Sequence, residues 1–503
     1  MPGNRIGGEI VGVEVFTSLN PCHPSEVLGR FPDSGPSEVD DAVNAAADAQ
    51  LTWVRVPTPA RAQTIAAAGE LLASRKAELA QLVSREVGKV GSEAGGDVQE
   101  AIDMAAFVAG QGRTAWGTVH PSELPDKITY TTRHPVGVCG LITPWNFPVA
   151  IPSWKVFPAL LAGNGVVLKP SELAPACADA FVQILWDAGV PPGLVNIVHG
   201  HRDAGEALVT HPGVRAVSFT GSVTTGRRVA AAAAETGPKL VSLELGGKNA
   251  MIVMPDADLD LVTDGVVFGA FGTSGQRCTS TSRLVVHSDV ADEVIARIAG
   301  RASELRLGDP VDPSTDVGPV IDSGAARRIH AYVEGAIGDG ADVVCGGRIT
   351  GVEGCGGDFY EPTVLRGVHR DHRIASEEVF GPVLAVIEVA SLHEAVDVVN
   401  ASEFGLSAAV YTRDINAALH AVARIDTGIV YVNAPTIGAE IQMPFGGTKH
   451  TGNGFREAGL RGIEQFSETK TVYIDHSGRL QKAQIDTHEP ARSAAERPLR
   501  QQV

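Results

Sequence analysis

Between residues 136 and 247 short apolar runs alternate with helical stretches, and each run stops at Gly, Ser, Thr or Pro. The runs are "VGVCGLITP", "GVVLKPSE", "GLVNIVHG", "VRAVSFTGS" and "LVSLELGG". A strand with one wet face alternates apolar and polar residues. Strands that are apolar throughout must be covered on both faces, which predicts an α/β fold with a parallel sheet. In open sheets of this kind ligands sit at the carboxyl ends of the strands. Polar residues stand at those ends here: Asn146, Lys169, Ser222 and Glu244. A second α/β pattern begins near residue 250, with "SRLVVHSDVADEVIARIAGRASEL" and "VFGPVLAVIEV", and carries Cys278.

A chain of 503 residues exceeds one ordinary core and predicts two or three domains. Hydrophobic residues at 44% and charged residues at 20% are normal for a globular protein. The formal net charge of −18 argues against a nucleic-acid partner, because phosphate binding needs a basic face. The start, "MPGNRIGGEIVGVEVF", has neither a basic segment nor a long apolar one, so no secretory signal is expected. No run approaches the roughly 18 apolar residues of a membrane span. The six cysteines are scattered without CxxC spacing, which predicts reduced thiols and a cytoplasmic protein. Cys345 and Cys355, in "CGGRITGVEGCGG", are the pair whose setting suggests a disulfide or a metal, although no second ligand pair accompanies them.

The first 115 residues read as mainly helical packing surface. Ser37 followed by Asp40 resembles a capping box, with Val39, Val43 and Ala47 recurring every four residues. One long helix is predicted through "ARAQTIAAAGELLASRKAELAQLVSREVGK", with Ile65, Leu72 and Leu79 on its stripe. "SELPDKITYTTRHPVG" reads as an extended arm, and residues 475–503 as a solvated tail. There is no internal repeat.

Cys278 lies in "FGTSGQRCTSTSR". A free thiol near pKa 8.5 is only a few per cent thiolate at neutral pH, so a nucleophile needs help from positive charge or a helix N-terminus. Arg277 and the Gly-rich approach offer charge and room, but Cys278 alone reads more readily as buried packing. Glu244 in "LELGGKN" shifts that reading. A glutamate buried without a partner is costly, so it is either paired or a general base with a raised pKa. Asn146 in "TPWNFP", stiffened by Pro144 and Pro148, is an oxyanion donor or an Asn satisfying its own turn. Lys169 and Glu172 in "LKPSE" suit ribose hydroxyls, and Gly221 and Ser222 open a helix whose N-terminus suits an anion. There is no GxGxxG after a strand and no GxxxxGK[ST], so neither ordinary dinucleotide nor P-loop phosphate binding is supported.

"PWNFP", "LKPSE", "FTGS", "LELGGKN", "GQRC", "EEVFGPV" and "PFGGTK" occur in an order that resembles the aldehyde dehydrogenase superfamily over nearly the whole chain. The resemblance implies a variant Rossmann cofactor domain (1–118 and 137–249, with 445–466 returning to it) and a catalytic domain (250–444). It also implies bridging oligomerisation strands (119–136 and 467–478) and a tail (479–503) beyond the usual end. By motif position Cys278 is then the nucleophile, Glu244 the general base, and Asn146 the oxyanion donor beside the Cys278 N–H. Lys169 and Glu172 would hold the adenine ribose, Ser222 the pyrophosphate, and Glu378 with Phe380 the nicotinamide end. Trp145 lines the cleft, and Ile142, Gly205, Phe219, Gly221 and Gly246 complete the cofactor set. No metal is implied.

The implied reaction oxidises an aldehyde through a thiohemiacetal and a thioester, which water hydrolyses. Glu172 should repel a ribose 2′-phosphate, which favours NAD while leaving NADP open. Members with "GQRC" resemble those acting on semialdehydes such as those of 2-oxoglutarate or aminoadipate, and Arg277 is the candidate carboxylate clamp. The alternatives are a broad-specificity enzyme for neutral aldehydes, a non-redox cysteine esterase, a CoA-acylating dehydrogenase (which would not need Glu244) and a non-catalytic homologue. One departure is Thr273, where the family often has Asn. "KITYTT" and "KTVYI" resemble the oligomerisation strands, which implies a homodimer or homotetramer.

Overall fold

The computed structural model describes residues 3–114 and 116–485. All five apolar runs form strands: Val138–Ile142, Gly165–Lys169, Val195–Ile197, Val214–Thr220 and Leu240–Glu244. They pair in parallel, and two short antiparallel N-terminal strands extend the sheet beyond Val195–Ile197. Alternate residues pack on opposite faces, as a doubly covered sheet demands. Cys139, Leu141, Val166 and Leu168 join one core, while Val138, Val167 and Val217 join another with Val39 and Val43.

The second sheet is built from residues 249–432. Its strands run in the order Asp342–Cys345, Thr363–Arg366, Val383–Val389, Thr281–His287, Asn249–Val253, Ser407–Tyr411 and Ile429–Val432, parallel except for the first. Met251, Val253, Leu284 and Val286 face one core and Ala250, Ile252 and Val285 the other. The segment after residue 444 crosses to the first sheet, where Gly452 bridges to Glu244 and Glu457 pairs with Lys155. A third, antiparallel sheet joins Val119–His120, Lys127–Pro135 and Ser467–Asp475, with nine paired positions between the last two. No helix among the described residues is long and apolar enough to cross a membrane.

Two local expectations are corrected, the opening of the first helix and the unbroken second one. The first helix begins at Pro36, whose fixed φ suits the opening turn, and Gly35 is its N-cap. Glu38 closes the capping box by accepting from the Gly35 N–H at 2.9 Å, so Ser37 and Asp40 lie inside the helix. The long helix predicted after residue 60 is two helices, Thr58–Ser74 and Lys76–Val87. They break at Arg75, which pairs with Asp187 at 2.7 Å. Ile65, Leu72 and Leu79 stay buried across the break, so the apolar stripe carried no sign of it. Cys345 and Cys355 do not pair with each other: the Cys345 thiol faces the Pro362 carbonyl, and Cys355 Sγ lies 3.1 Å from Cys22 Sγ. Most of the tail, residues 486–503, lies outside the described residues.

Candidate active site

Two cavities meet at Cys278. The first, about 950 Å³, opens along the carboxyl ends of the first sheet. The second, about 670 Å³, lies between the helices Gly91–Gly110 and Ala150–Ala162 and the loop around residues 437–445.

Cys278 follows a tight turn in which Thr273 and Ser274 both have φ of +53°. The loop is clamped from several sides. Asn249 Nδ2 donates to the carbonyls of Cys278 and Ser280 at 2.8 and 2.9 Å. A Cβ on Gly275 would stand 2.2 Å from the Gly381 carbonyl oxygen. The Gly pair after Glu244 has the same origin: a Cβ at Gly246 would strike the Glu378 carboxylate, and one at Gly247 would stand 2.5 Å from the Cys278 carbonyl oxygen. The glycines let the strand end pass directly against the cysteine loop.

Glu244 is the last residue of its strand, in register with Thr220, and its carbonyl accepts from the Gly221 N–H at 3.0 Å. Its side chain is buried against the second cavity, and Oε1 has no hydrogen-bond partner among the described residues. Burial, reinforced by the nearby Glu457, pushes its carboxyl well above the usual range. Glu457 is itself held by Lys155 and by the Thr220 hydroxyl at 2.9 Å. The Cys278 thiol is also pushed up, by burial first and then by Glu244, Glu378 and Glu457. Asn146 is buried beside it, and Nδ2 donates to the Gln276 carbonyl at 3.0 Å, which aligns the amide with the cysteine loop.

Arg277 turns away from the thiol. Its Nη2 donates to Glu93 Oε1 and its Nε to Thr273 Oγ1, both at 2.8 Å. The guanidinium packs over Phe147 and Phe268. Its charge is therefore met by Glu93 and does not activate Cys278. The side chain still lines the second cavity, and Nη1 makes no hydrogen bond to a described residue. Thr273 takes part in the same arrangement: its N–H donates to both oxygens of Glu93 at 2.9 Å.

The first cavity gathers the strand-end residues: Ile142, Trp145, Lys169, Glu172, Gly205, Phe219, Gly221, Ser222, Gly246, Glu378 and Phe380 all line it. Lys169 Nζ and Glu172 Oε2 stand 3.5 Å apart, and burial lowers the lysine. Ser222 caps the helix Val223–Glu235, its Oγ accepting from the Thr225 N–H. Trp145 and Phe380 meet edge to face with centroids 5.7 Å apart. Glu378 accepts from the Gly247 N–H at 3.0 Å and is pushed to about 7 by burial. A cleft of this size, with a ribose-type Lys–Glu pair and a helix N-terminus at its wall, fits a dinucleotide.

Sequence reasoning missed the walls of the second cavity. Glu93, Asp97, Glu100 and Asp103 line it from one helix. Asp97 is structural, bound to Lys89 at 2.8 Å and to the Ala150 N–H at 2.7 Å. Glu100 is pushed up to about 8, by burial first and then by Asp97. The spacing of four, three and three residues was a readable sign that these acids share a helix face. Phe147, Trp154 and Phe268 supply the aromatic part of the wall.

The sequence profile of the aldehyde dehydrogenase family matches residues 11–472. The chain is 41% identical to an alpha-ketoglutarate semialdehyde dehydrogenase of Haloferax volcanii, over 93% of this chain and 98% of that protein. It is 39% identical to a betaine aldehyde dehydrogenase of Rhizobium etli, over 93% and 96%. The crystal structure of betaine aldehyde dehydrogenase from Staphylococcus aureus in complex with NAD+ matches with a TM-score of 0.92 at 31% identity, covering 95% of this chain and 96% of that one.

Proposed function

This chain belongs to the aldehyde dehydrogenase family, and from that premise we propose that it oxidises an aldehyde bearing a distant carboxylate to the corresponding acid, with NAD as acceptor. The observation that carries the reading is the position of Cys278, at the junction of one cavity suited to a dinucleotide and another lined by Arg277. The relatives include semialdehyde dehydrogenases, which supports the substrate class.

In this reading Cys278 Sγ adds to the carbonyl carbon, and the thiol proton passes to solvent as the carbonyl oxygen takes up negative charge. Asn146 Nδ2 and the Cys278 N–H hold the developing oxyanion. When NAD is bound, Lys169 and Glu172 would hold the adenine ribose, Ser222 with its helix N-terminus the pyrophosphate, and Glu378, Phe380 and Trp145 the nicotinamide end. The chemistry supplied by bound NAD is acceptance of the hydride. Glu244, with an unpartnered oxygen and a raised pKa, takes a proton from the water that hydrolyses the thioester. The antiparallel sheet, with Val119, Ile128, Tyr473 and Ile474 exposed, is the face for assembly into a dimer or tetramer. The unpaired thiols suit a cytoplasmic enzyme.

The test is NADH formation from a dicarboxylic semialdehyde and from a neutral aldehyde of equal length, in wild type and Arg277→Ala. The preference for the semialdehyde should fall by about tenfold or more, as loss of a charge-assisted contact implies. An unchanged ratio overturns the substrate assignment. A second reading has its own support. Glu93, Glu100, Asp103 and Glu440 with the aromatic wall suit a cationic aldehyde, and betaine aldehyde dehydrogenases are among the relatives. Faster turnover of a quaternary-ammonium aldehyde than of the semialdehyde selects that reading.

A further inference from the structure

Away from both cavities, three segments distant in sequence bring metal-ligating side chains together. Cys22 is fully buried, and His23 follows it. Asn20 Oδ1 accepts from the N–H groups of both, at 2.9 and 3.3 Å, which fixes the turn that presents two consecutive side chains. Asp309 arrives from a loop 286 residues away, with Oδ2 2.7 Å from His23 Nε2. Its Oδ1 accepts from the Val311 N–H at 3.1 Å, which anchors the carboxylate in its own loop and leaves Oδ2 to point inward. One ligand atom from each of Cys22, His23 and Asp309 lies within 4.8 Å of the other two.

Cys355 completes the group. Its Sγ is 3.1 Å from Cys22 Sγ, across 333 residues of chain. The approach is built into the backbone. The N–H groups of Gly356 and Gly357 both donate to the Cys22 carbonyl, at 3.0 and 3.1 Å. A Cβ at Gly357 would stand 1.8 Å from the Pro21 carbonyl oxygen, so only glycine lets this loop close on the Cys22 turn. Two thiols and a carboxylate thus converge on a single imidazole, a donor set short of positive charge.

We propose that Cys22, His23, Asp309 and Cys355 form a binding site for a thiolate-preferring divalent cation of the Zn2+ type. The ion would clasp the hairpin Phe16–Leu19 and Val27–Phe31 to the loops carrying Asp309 and Cys355. Two S, one N and one O donor are the ligand types of tetrahedral zinc, with bonds of about 2.0–2.3 Å, so ligand atoms stand roughly 3.3–3.8 Å apart. Ligand atoms of Cys22, His23 and Asp309 already lie within 4.8 Å of one another, and Cys355, 3.1 Å from Cys22 Sγ, takes the fourth position by turning its side chain toward His23 and Asp309. Binding replaces the two S–H protons, so each ion taken up releases two protons and no electron is transferred.

The full chain is used in a Cys278→Ser background, so that the active-site thiol cannot bind the probe. It is reduced with a phosphine and titrated with Co2+, then Zn2+. The expected result is one Co2+ per chain, a near-ultraviolet thiolate-to-cobalt charge-transfer band, two protons released, and displacement by Zn2+ with a rise in melting temperature. The band should vanish in Cys22→Ser and Cys355→Ser and persist in Cys345→Ser. Asp309→Asn should weaken binding about tenfold or more. Should Cys22→Ser fail to fold, His23→Ala and Asp309→Asn on the half-exposed side carry the test. Uptake that is absent, or equal in His23→Ala and the parent, overturns the proposal. So does a Cys22–Cys355 disulfide in air-oxidised protein whose reduced form takes up no metal.

Discussion

The two cavities that share Cys278 are built differently. The first is walled by the ends of hydrogen-bonded strands, whose register brings Ile142 level with both Phe219 and Lys169. The second meets the sheet only at Thr220 and Glu244, and its other walls are mostly side chains from two helices and a loop. A ladder fixes its members to within one residue, because a slip would turn every side chain to the wrong face. A helix face can slide or rotate and still bury its stripe. The cavity that sets the kind of chemistry is therefore rigid and locally encoded, while the cavity that sets the substrate rests on long-range packing.

The largest expected effect falls where the sheet meets the second cavity. Glu244→Gln should leave the first oxidation intact and block hydrolysis, giving a burst of about one NADH per site and a steady rate lowered by about 10²–10⁴-fold. Rapid-quench and steady-state NADH measurements separate the two phases. A loss of burst and steady rate alike would mean that Glu244 serves the thiol, not the water.

Asn146→Ala should lower kcat by about 10²–10³ with little change in KM, since an oxyanion donor acts in the transition state. A change confined to KM would move Asn146 from the reacting centre to the ground-state wall.

In the second cavity the effects are smaller and depend on pH. Glu100 is neutral below about 8 and anionic above it. For an anionic semialdehyde KM should therefore rise several-fold as pH passes 8, and for a cationic aldehyde it should fall. Glu100→Gln should flatten either profile. A profile already flat in wild type would remove Glu100 from the substrate path. The smallest effect is on stability. Thr273 is β-branched and sits at φ +53°, where Asn is better tolerated. Thr273→Asn should add about 0.5–1 kcal/mol, a rise of a few degrees in melting temperature, with kcat unchanged. A fall would show that the Thr273 hydroxyl contact to Arg277 outweighs the backbone strain.

Much of the first cavity was legible because its signals are local. Apolar runs give strands, the residue after each run gives the strand end, and a Ser before a helix gives a cap. Lys169 and Ser222 each stood at such a point, as did Glu244, the one strand end of this kind that faces the second cavity instead. The walls of the second cavity were not read, although the acidic spacing from Glu93 to Asp103 was visible, because the N-terminal helices read only as packing surface. Arg277 stood out from its place beside Cys278, but its partner is Glu93, 184 residues earlier. The approach of Cys355 to Cys22 was out of reach for the same reason. Cys345 and Cys355 are close in sequence, whereas Cys355 meets Cys22.

The sequence by itself determined the doubly covered parallel sheet, the strand-end residues and the family, since each depends on neighbours within a few positions or on ordered motifs. The tertiary structure alone decided which acid answers Arg277, that burial and three carboxylates push the Cys278 thiol up, and which two thiols touch. Those depend on where distant segments come to lie and on how much water is excluded between them. A one-dimensional pattern holds neither quantity, because burial and charge proximity are properties of the closed chain.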